Sequence, residues 1–185
     1  MIKMKIKGKF MNTLDAILSR KSTRAYTGER ISQEALETIL KAAFASPVAM
    51  AQYEALHITV VESEDMIKEI NELAAKMFFA KMGIKKDTDF GARTMVMVSI
   101  TPSILSHEME CINAGIVVEN MVLAATDMGI DSVILGGAPA IVSQYPDLMK
   151  RLVIPEGFSP VLGALFGYAV EEAPAKVHTI SVNRV

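Results

Sequence analysis

The stretch "ECINAGIVVENMVLAATDMG", residues 110–129, constrains this chain more than any other. On a helical wheel its apolar residues run almost all the way round, with Gly129 supplying a stop. A helix of that kind needs cover on most faces, so it predicts the centre of a packed structure. The 185-residue chain is near the size of one ordinary domain and is 51% hydrophobic, enough for a sizeable core. One domain over residues 1–185 is expected. The apolar surplus, 13 Met among it, favours an oligomer, with Ile116, Val117, Met121 and Val122 of the central helix at its interface.

Other elements read in order along the chain. Asn12 or Thr13 caps a first helix whose apolar stripe is Leu14, Ile17 and Leu18, and this helix runs into "RKSTRAYTG". Ser32 caps a second helix, with Leu36, Ile39, Leu40 and Ala43 at helical spacing, ending before Ser46 and Pro47. The loop "SPVAMAQYEA" leads into "LHITVV", a buried strand; Ser63 opens a helix through Phe78; a Lys-rich turn at 83–89 precedes the strand "TMVMVSI". "SVILGG" is a third strand, Pro146 begins a short helix that Pro155 closes, and "SPVLGALFGYAV" is a fourth strand. Helices and strands mix without βαβ alternation, which predicts an α+β domain with a sheet flanked by helices. The start, "MIKMKIKGKF", has scattered apolar residues and no continuous apolar region, so residues 1–11 are expected to form a short arm.

Several function classes are disfavoured. A formal charge of -2 gives no long-range field for nucleic acid. The apolar stretches are broken by Glu119 and Asn120 or by Gly163 and Gly167, short of the roughly 20 residues of a membrane span. One cysteine and three histidines offer no metal-site spacing, and a single Cys111 fits a reducing, cytoplasmic setting. No dinucleotide fingerprint or P-loop is present. His57, His107 and His178 accompany no nucleophile motif, and Cys111 reads as an inert thiol in an apolar helix.

Two local features remain. Arg20, Lys21 and Arg24 surround Ser22 and Thr23, and with backbone N–H groups they offer the converging donors a phosphate monoester needs. The same cluster also reads as a solvated helix C-terminus, where the dipole favours cations. Gly136 and Gly137, directly after a strand, either make a tight turn or let backbone approach a planar ligand.

Taken together and in order, these pieces resemble the FMN-dependent nitroreductase family over essentially the whole chain. The resemblance rests on "RKSTR" after a first helix, "SPVAM" before the next strand, the run "NAGIVVENMVLAATDMGIDSVILGG", and its sequel "IPEGFSPVLGALFGYA". It implies a central, mostly antiparallel sheet flanked by helices, in an intertwined homodimer with FMN in two clefts lined by both subunits. By carry-over, Arg20 and Ser22 hold the FMN phosphate, Lys21 the ribityl region, and Arg24 the pyrimidine edge, where its charge favours the reduced flavin. Gly136 and Gly137 present backbone N–H groups to the ring. Pro47, Val48, Ala49 and Met50 contribute packing and backbone from the partner, since Ala51, Gln52 and Tyr53 stand where many relatives have Asn and Gln-Pro. The basic residue completing the phosphate site is Lys176 or Arg184, with Arg184 favoured. The implied activity is NAD(P)H-dependent reduction of nitroaromatic or quinone acceptors, with the flavin and no protein acid or base carrying the chemistry. The alternative is a flavin-binding storage or sensing protein without turnover.

Overall fold

A computed structural model describes residues 11–83, 90–175 and 178–185. Most of the arm expected at residues 1–11 and of the Lys-rich turn, and Lys176, lie outside the described residues. The chain folds as α1 (Thr13–Ser19), α2 (Gln33–Phe44), β1 (Leu56–Val61), α3 (Glu64–Met82), β2 (Thr94–Ile100), α4 (His107–Asp127), β3 (Asp131–Leu135), α5 (Gly137–Val142), α6 (Pro146–Arg151) and β4 (Ser159–Gly167). The α+β expectation holds: four antiparallel strands form one sheet in the order β1-β2-β4-β3.

Helix starts follow the capping residues. Asn12, Ser32 and Ser63 each accept a hydrogen bond from a backbone N–H in the first turn of the helix they open. Ser106 does the same for α4, which therefore starts one turn earlier than its apolar run suggests. The Gly136-Gly137 pair is more than a turn, because Gly137 opens the short helix α5, whose Ala138, Ile141 and Val142 are buried. Two single 3-10 turns, Ala49–Ala51 and Tyr53–Ala55, shape the loop after α2.

Both faces of the sheet are covered, which explains why β2 is buried at all seven residues, the polar Thr94 and Ser99 among them. Val96, Val98 and Ile100 point to a core shared with α2 and α4; Met95 and Met97 point to one shared with α3, α5 and α6. β1 is an edge strand and only partly buried, less than its composition predicts. At the centre, β2 and β4 approach so closely that a Cβ on Gly163 would sit 2.6 Å from the Val96 carbonyl oxygen.

α4 lies between α2 and the sheet. By length and composition it could cross a bilayer, yet Val118, Met121 and Val122 are fully buried within this one chain. That corrects the expected interface: Val117, Met121 and Val122 face the chain's own core. The side of α4 left open carries Ile112, Gly115, Ile116, Glu119 and Leu123. All-round apolarity thus has two sources, an internal core and a residual outer strip. α1 has the same character, with Leu14, Ile17 and Leu18 exposed and only Ala16 buried.

Candidate functional site

The basic cluster begins where α1 ends and runs along the free edge of β3. Ser22 bridges to Ser132 in parallel, and the Thr23 N–H donates to the Ser132 carbonyl at 2.9 Å. Further on, Tyr26 bridges to Ala169, and the Val170 N–H donates to the Ala25 carbonyl at 3.0 Å. The segment is therefore extended and pinned at both ends, which sends successive side chains to opposite sides. Its register is fixed by β3 and the chain after β4, not by helix propensity.

Asp131 organises the cluster electrostatically. Its carboxylate lies 3.5 Å from Lys21 Nζ and accepts hydrogen bonds from Thr23 Oγ1 at 3.2 Å and the Ala169 N–H at 3.1 Å. The Arg24 guanidinium donates a long hydrogen bond, 3.4 Å, to the Ser22 carbonyl. Among the described residues no side-chain hydrogen bond or ion pair engages the Arg20 guanidinium or the Ser22 hydroxyl, so these donors stand available. Tyr26 lies beneath; burial first, then Asp131, raise its phenol far above the usual range, while Arg24 pulls the other way.

Arg20, Lys21, Ser22, Thr23, Arg24 and Ala25 line a cavity of about 800 Å³, closed on the far side by Val170, Glu171, Ala173, Pro174 and His178. Arg24 also lines a second cavity, of about 150 Å³, with Phe78, Phe90, residues 133–135, Gly136, Gly137 and Ala138. A Cβ on Gly137 would meet the Phe78 ring at 3.0 Å. The two cavities share one cation, forming a track with a polar, cationic end and an aromatic, glycine-lined end. At the latter, the first N–H groups of α5 have no intrahelical acceptor.

Pro47, Val48, Ala49 and Met50 line neither cavity. They lie beside the first half of α4, where the Ala49 N–H donates to Asn113 Oδ1 at 3.1 Å, whereas the basic cluster lies beyond its last turn. From Asn113 to Thr126 the helix rises about 20 Å. Met50 and Ala51 have left-handed backbone, φ 52° and 53°, and Met50 is 71% exposed. Side chains pay for that conformation with strain of about 1–3 kcal/mol each, which persists where surroundings impose it. Arg184 is exposed and lines neither cavity; His178 is the C-terminal residue that does.

Sequence reasoning missed Asp131, Phe78, Phe90 and His178. Asp131 carried a faint signal as the acidic residue opening the strand beside the cluster; the others are joined to it only by tertiary folding. Among the described residues no group of three or more His, Cys, Asp or Glu could hold a metal ion.

The model of a protein family described as the nitroreductase family matches residues 17–168. The chain is similar to a solved nitroreductase with bound FMN from Desulfitobacterium hafniense, 26% identical, with a TM-score of 0.83, covering 94% of this chain and 100% of that one. It is 25% identical over 179 residues to an FMN reductase [NAD(P)H] of Bacillus subtilis, covering 88% of this chain and 68% of the relative. It is 28% identical over 178 residues to an NADPH-flavin oxidoreductase of Vibrio harveyi, covering 89% and 69% respectively.

Proposed function

The chain belongs to the nitroreductase family, and from that premise we propose that it is an FMN-dependent oxidoreductase that takes electrons from NAD(P)H and passes them to nitroaromatic, quinone or related acceptors. One observation carries the reading: Arg24 is common to a cationic cavity and a glycine-lined one. FMN has that same polarity, a phosphate monoester at one end and a planar ring at the other.

The donor set fits the cofactor. Arg20 and Ser22, unengaged by other side chains, hold the phosphate, each charge-assisted bond contributing about 1.5–3 kcal/mol. Lys21, held by Asp131 at the cavity wall, faces the ribityl chain. Arg24 stands at the pyrimidine edge, where a fixed positive charge stabilises negative charge gained on reduction. Gly136 and Gly137 offer backbone N–H groups to the ring edge, with no Cβ between. Bound FMN supplies hydride acceptance and electron donation; the protein supplies binding, orientation and electrostatics.

The complete site takes two copies. An antiparallel pairing of the outer strips of α4 about a two-fold axis near Asn120 brings the Asn113 half of one helix against the Thr126 half of the other. Residues 47–50 of one protomer then face the basic cluster of its partner. Exposed Leu14, Ile17, Leu18, Ile112, Ile180 and Val182 support such pairing. The deciding experiment is purification, with a flavin spectrum and NADH and NADPH oxidation in a screen of acceptors. A colourless protein that neither binds FMN nor oxidises NAD(P)H overturns the proposal; bound FMN without turnover gives the storage or sensing alternative.

A further inference from the structure

The strained loop and the buried network beneath it have no part in the reading so far. Glu110, on the first turn of α4, is a carboxylate 1% exposed. Among the described residues it has no cationic partner within ion-pair distance. It accepts a short hydrogen bond from Ser103 Oγ and one of 3.3 Å from Asn113 Nδ2. Asn113, also 1% exposed, accepts in turn from the Ala49 N–H at 3.1 Å. Ser103 Oγ accepts from the Leu105 N–H. A relay therefore runs from the turn at 103–105 through two buried side chains to the loop at 47–51.

The direction of these bonds matters. An asparagine can lie either way round, and here its amide nitrogen donates to Glu110 Oε2 while its oxygen accepts from the Ala49 N–H. Ala49 immediately precedes the two left-handed residues, Met50 and Ala51. Tyr53 Oη and Asn120 Nδ2 secure the loop root, the first donating to the Ser46 carbonyl at 3.2 Å and the second to Ser46 Oγ at 2.9 Å. Between those anchors the Ala51 N–H donates to the Val48 carbonyl at 3.0 Å and Gln52 Nε2 to the Met50 carbonyl at 3.4 Å, and among the described residues the Ala49 N–H is the hydrogen bond that ties this strained turn to α4.

We propose that Glu110 and Asn113 are positioning residues: Glu110 orients Asn113, Asn113 holds Ala49, and the loop tip at Met50 is thereby set against the flavin cavity of the partner protomer, where it shapes the acceptor's binding surface. The inference rests on the proposed function and adds two residues that touch neither cofactor nor acceptor.

The test uses the FMN-loaded dimer and the variants Asn113→Ala, Asn113→Asp and Asn113→Asp with Glu110→Gln. Asn113→Ala keeps FMN content and raises the acceptor's KM by roughly tenfold, the scale of one lost buried hydrogen bond. It leaves the NAD(P)H-limited reduction rate near that of the unaltered protein, alters the visible circular dichroism of the flavin, and speeds hydrogen exchange at the Ala49 amide. Asn113→Asp keeps the oxygen facing Ala49 but sets a carboxyl where Glu110 needs a donor. This variant therefore raises the acceptor's KM as Asn113→Ala does. Glu110→Gln in the same chain restores the donor and returns the KM toward that of the unaltered protein.

Dimer content is followed by light scattering for each variant, because loss of fold would lower reduction rate and flavin content together. Unaltered protein that binds no FMN removes the proposed function, and this inference with it. FMN-loaded Asn113→Ala with a freely exchanging Ala49 amide but unchanged KM and circular dichroism removes the inference alone. An Asn113→Asp variant whose KM matches that of the unaltered protein, or is not restored by Glu110→Gln, also overturns it.

Discussion

Asp131 lies 3.5 Å from Lys21 and thereby ties one of the cluster's three cations to the sheet edge. Among the described residues Arg20 has no such tether, so the two adjacent residues are unequal in what they can give a phosphate. Arg20→Ala is expected to weaken FMN by roughly tenfold or more, at about 1.4 kcal/mol per decade. Lys21→Ala, whose charge is already shared with Asp131, weakens it less, and FAD, which lacks a terminal monoester, binds poorly to the unaltered protein. Fluorescence titration of apoprotein with both flavins measures all three; equal losses in the two variants contradict the ordering.

Arg24 is expected to act on electron transfer more than on affinity. With Arg24 at the pyrimidine edge as proposed, removing its charge should lower the bound flavin's reduction potential, and Arg24→Ala should slow reduction by NAD(P)H more than it weakens FMN binding. Redox titration and stopped-flow absorbance read the two effects separately. Turnover should be ping-pong, with parallel double-reciprocal lines, because donor and acceptor use one face in turn.

For assembly, the outer strip of α4 makes the prediction specific. Ile112→Asp should give a folded monomer that has lost FMN, since Ile112 is 54% exposed in the single chain. Val117→Asp should instead unfold the protein, because Val117 faces the internal core at 3% exposure. Light scattering and circular dichroism distinguish the outcomes, and an FMN-saturated Ile112→Asp monomer contradicts the two-copy site.

Gly163→Ala tests the core alone. The added methyl would lie 2.6 Å from the Val96 carbonyl oxygen, a backbone atom in the most buried strand. Overpacking of this kind typically costs about 1–3 kcal/mol. Thermal unfolding should show a clearly lower Tm; an unchanged Tm means β2 and β4 can separate without cost.

Cys111 supplies a pH dependence. Burial, followed by Glu108 and Glu110, pushes its thiol up, and only the thiolate is nucleophilic. Alkylation by iodoacetamide should therefore be slower at neutral pH than that of a free thiol peptide. Its rate should keep climbing above the pH where the peptide's has levelled. Rapid alkylation near pH 7 contradicts the assignment.

Much of the fold was legible because local chemistry and global fold agree. Asn12, Ser32 and Ser63 announced helix starts through their own side-chain bonds, and the segment TMVMVSI announced a strand. α5 was not legible, since Gly-Gly-Ala-Pro reads as a turn and becomes helix through the burial of Ala138, Ile141 and Val142. The direction of α4's faces was equally hidden, because a helix apolar all round carries no phase. Of the residues named from the sequence, those at 20–24 and the glycine pair line the two cavities, whereas the loop at 47–50 lines neither, and its distance from them along α4 was not legible. Phe78 and His178 reach the cavities by tertiary contacts that no local pattern encodes.

The separation of cluster and loop along α4 also has a genetic consequence. In a two-fold dimer each catalytic unit draws its cations from one polypeptide and its loop from the other. An Arg20→Ala chain and a chain crippled at Asn113 are each defective when alone. Mixed, they form heterodimers in which one site receives both lesions and the other receives neither. Two defective alleles expressed together should thus give heterodimers with up to half the activity of the unaltered dimer, a form of intragenic complementation unavailable to an enzyme whose site lies within a single chain.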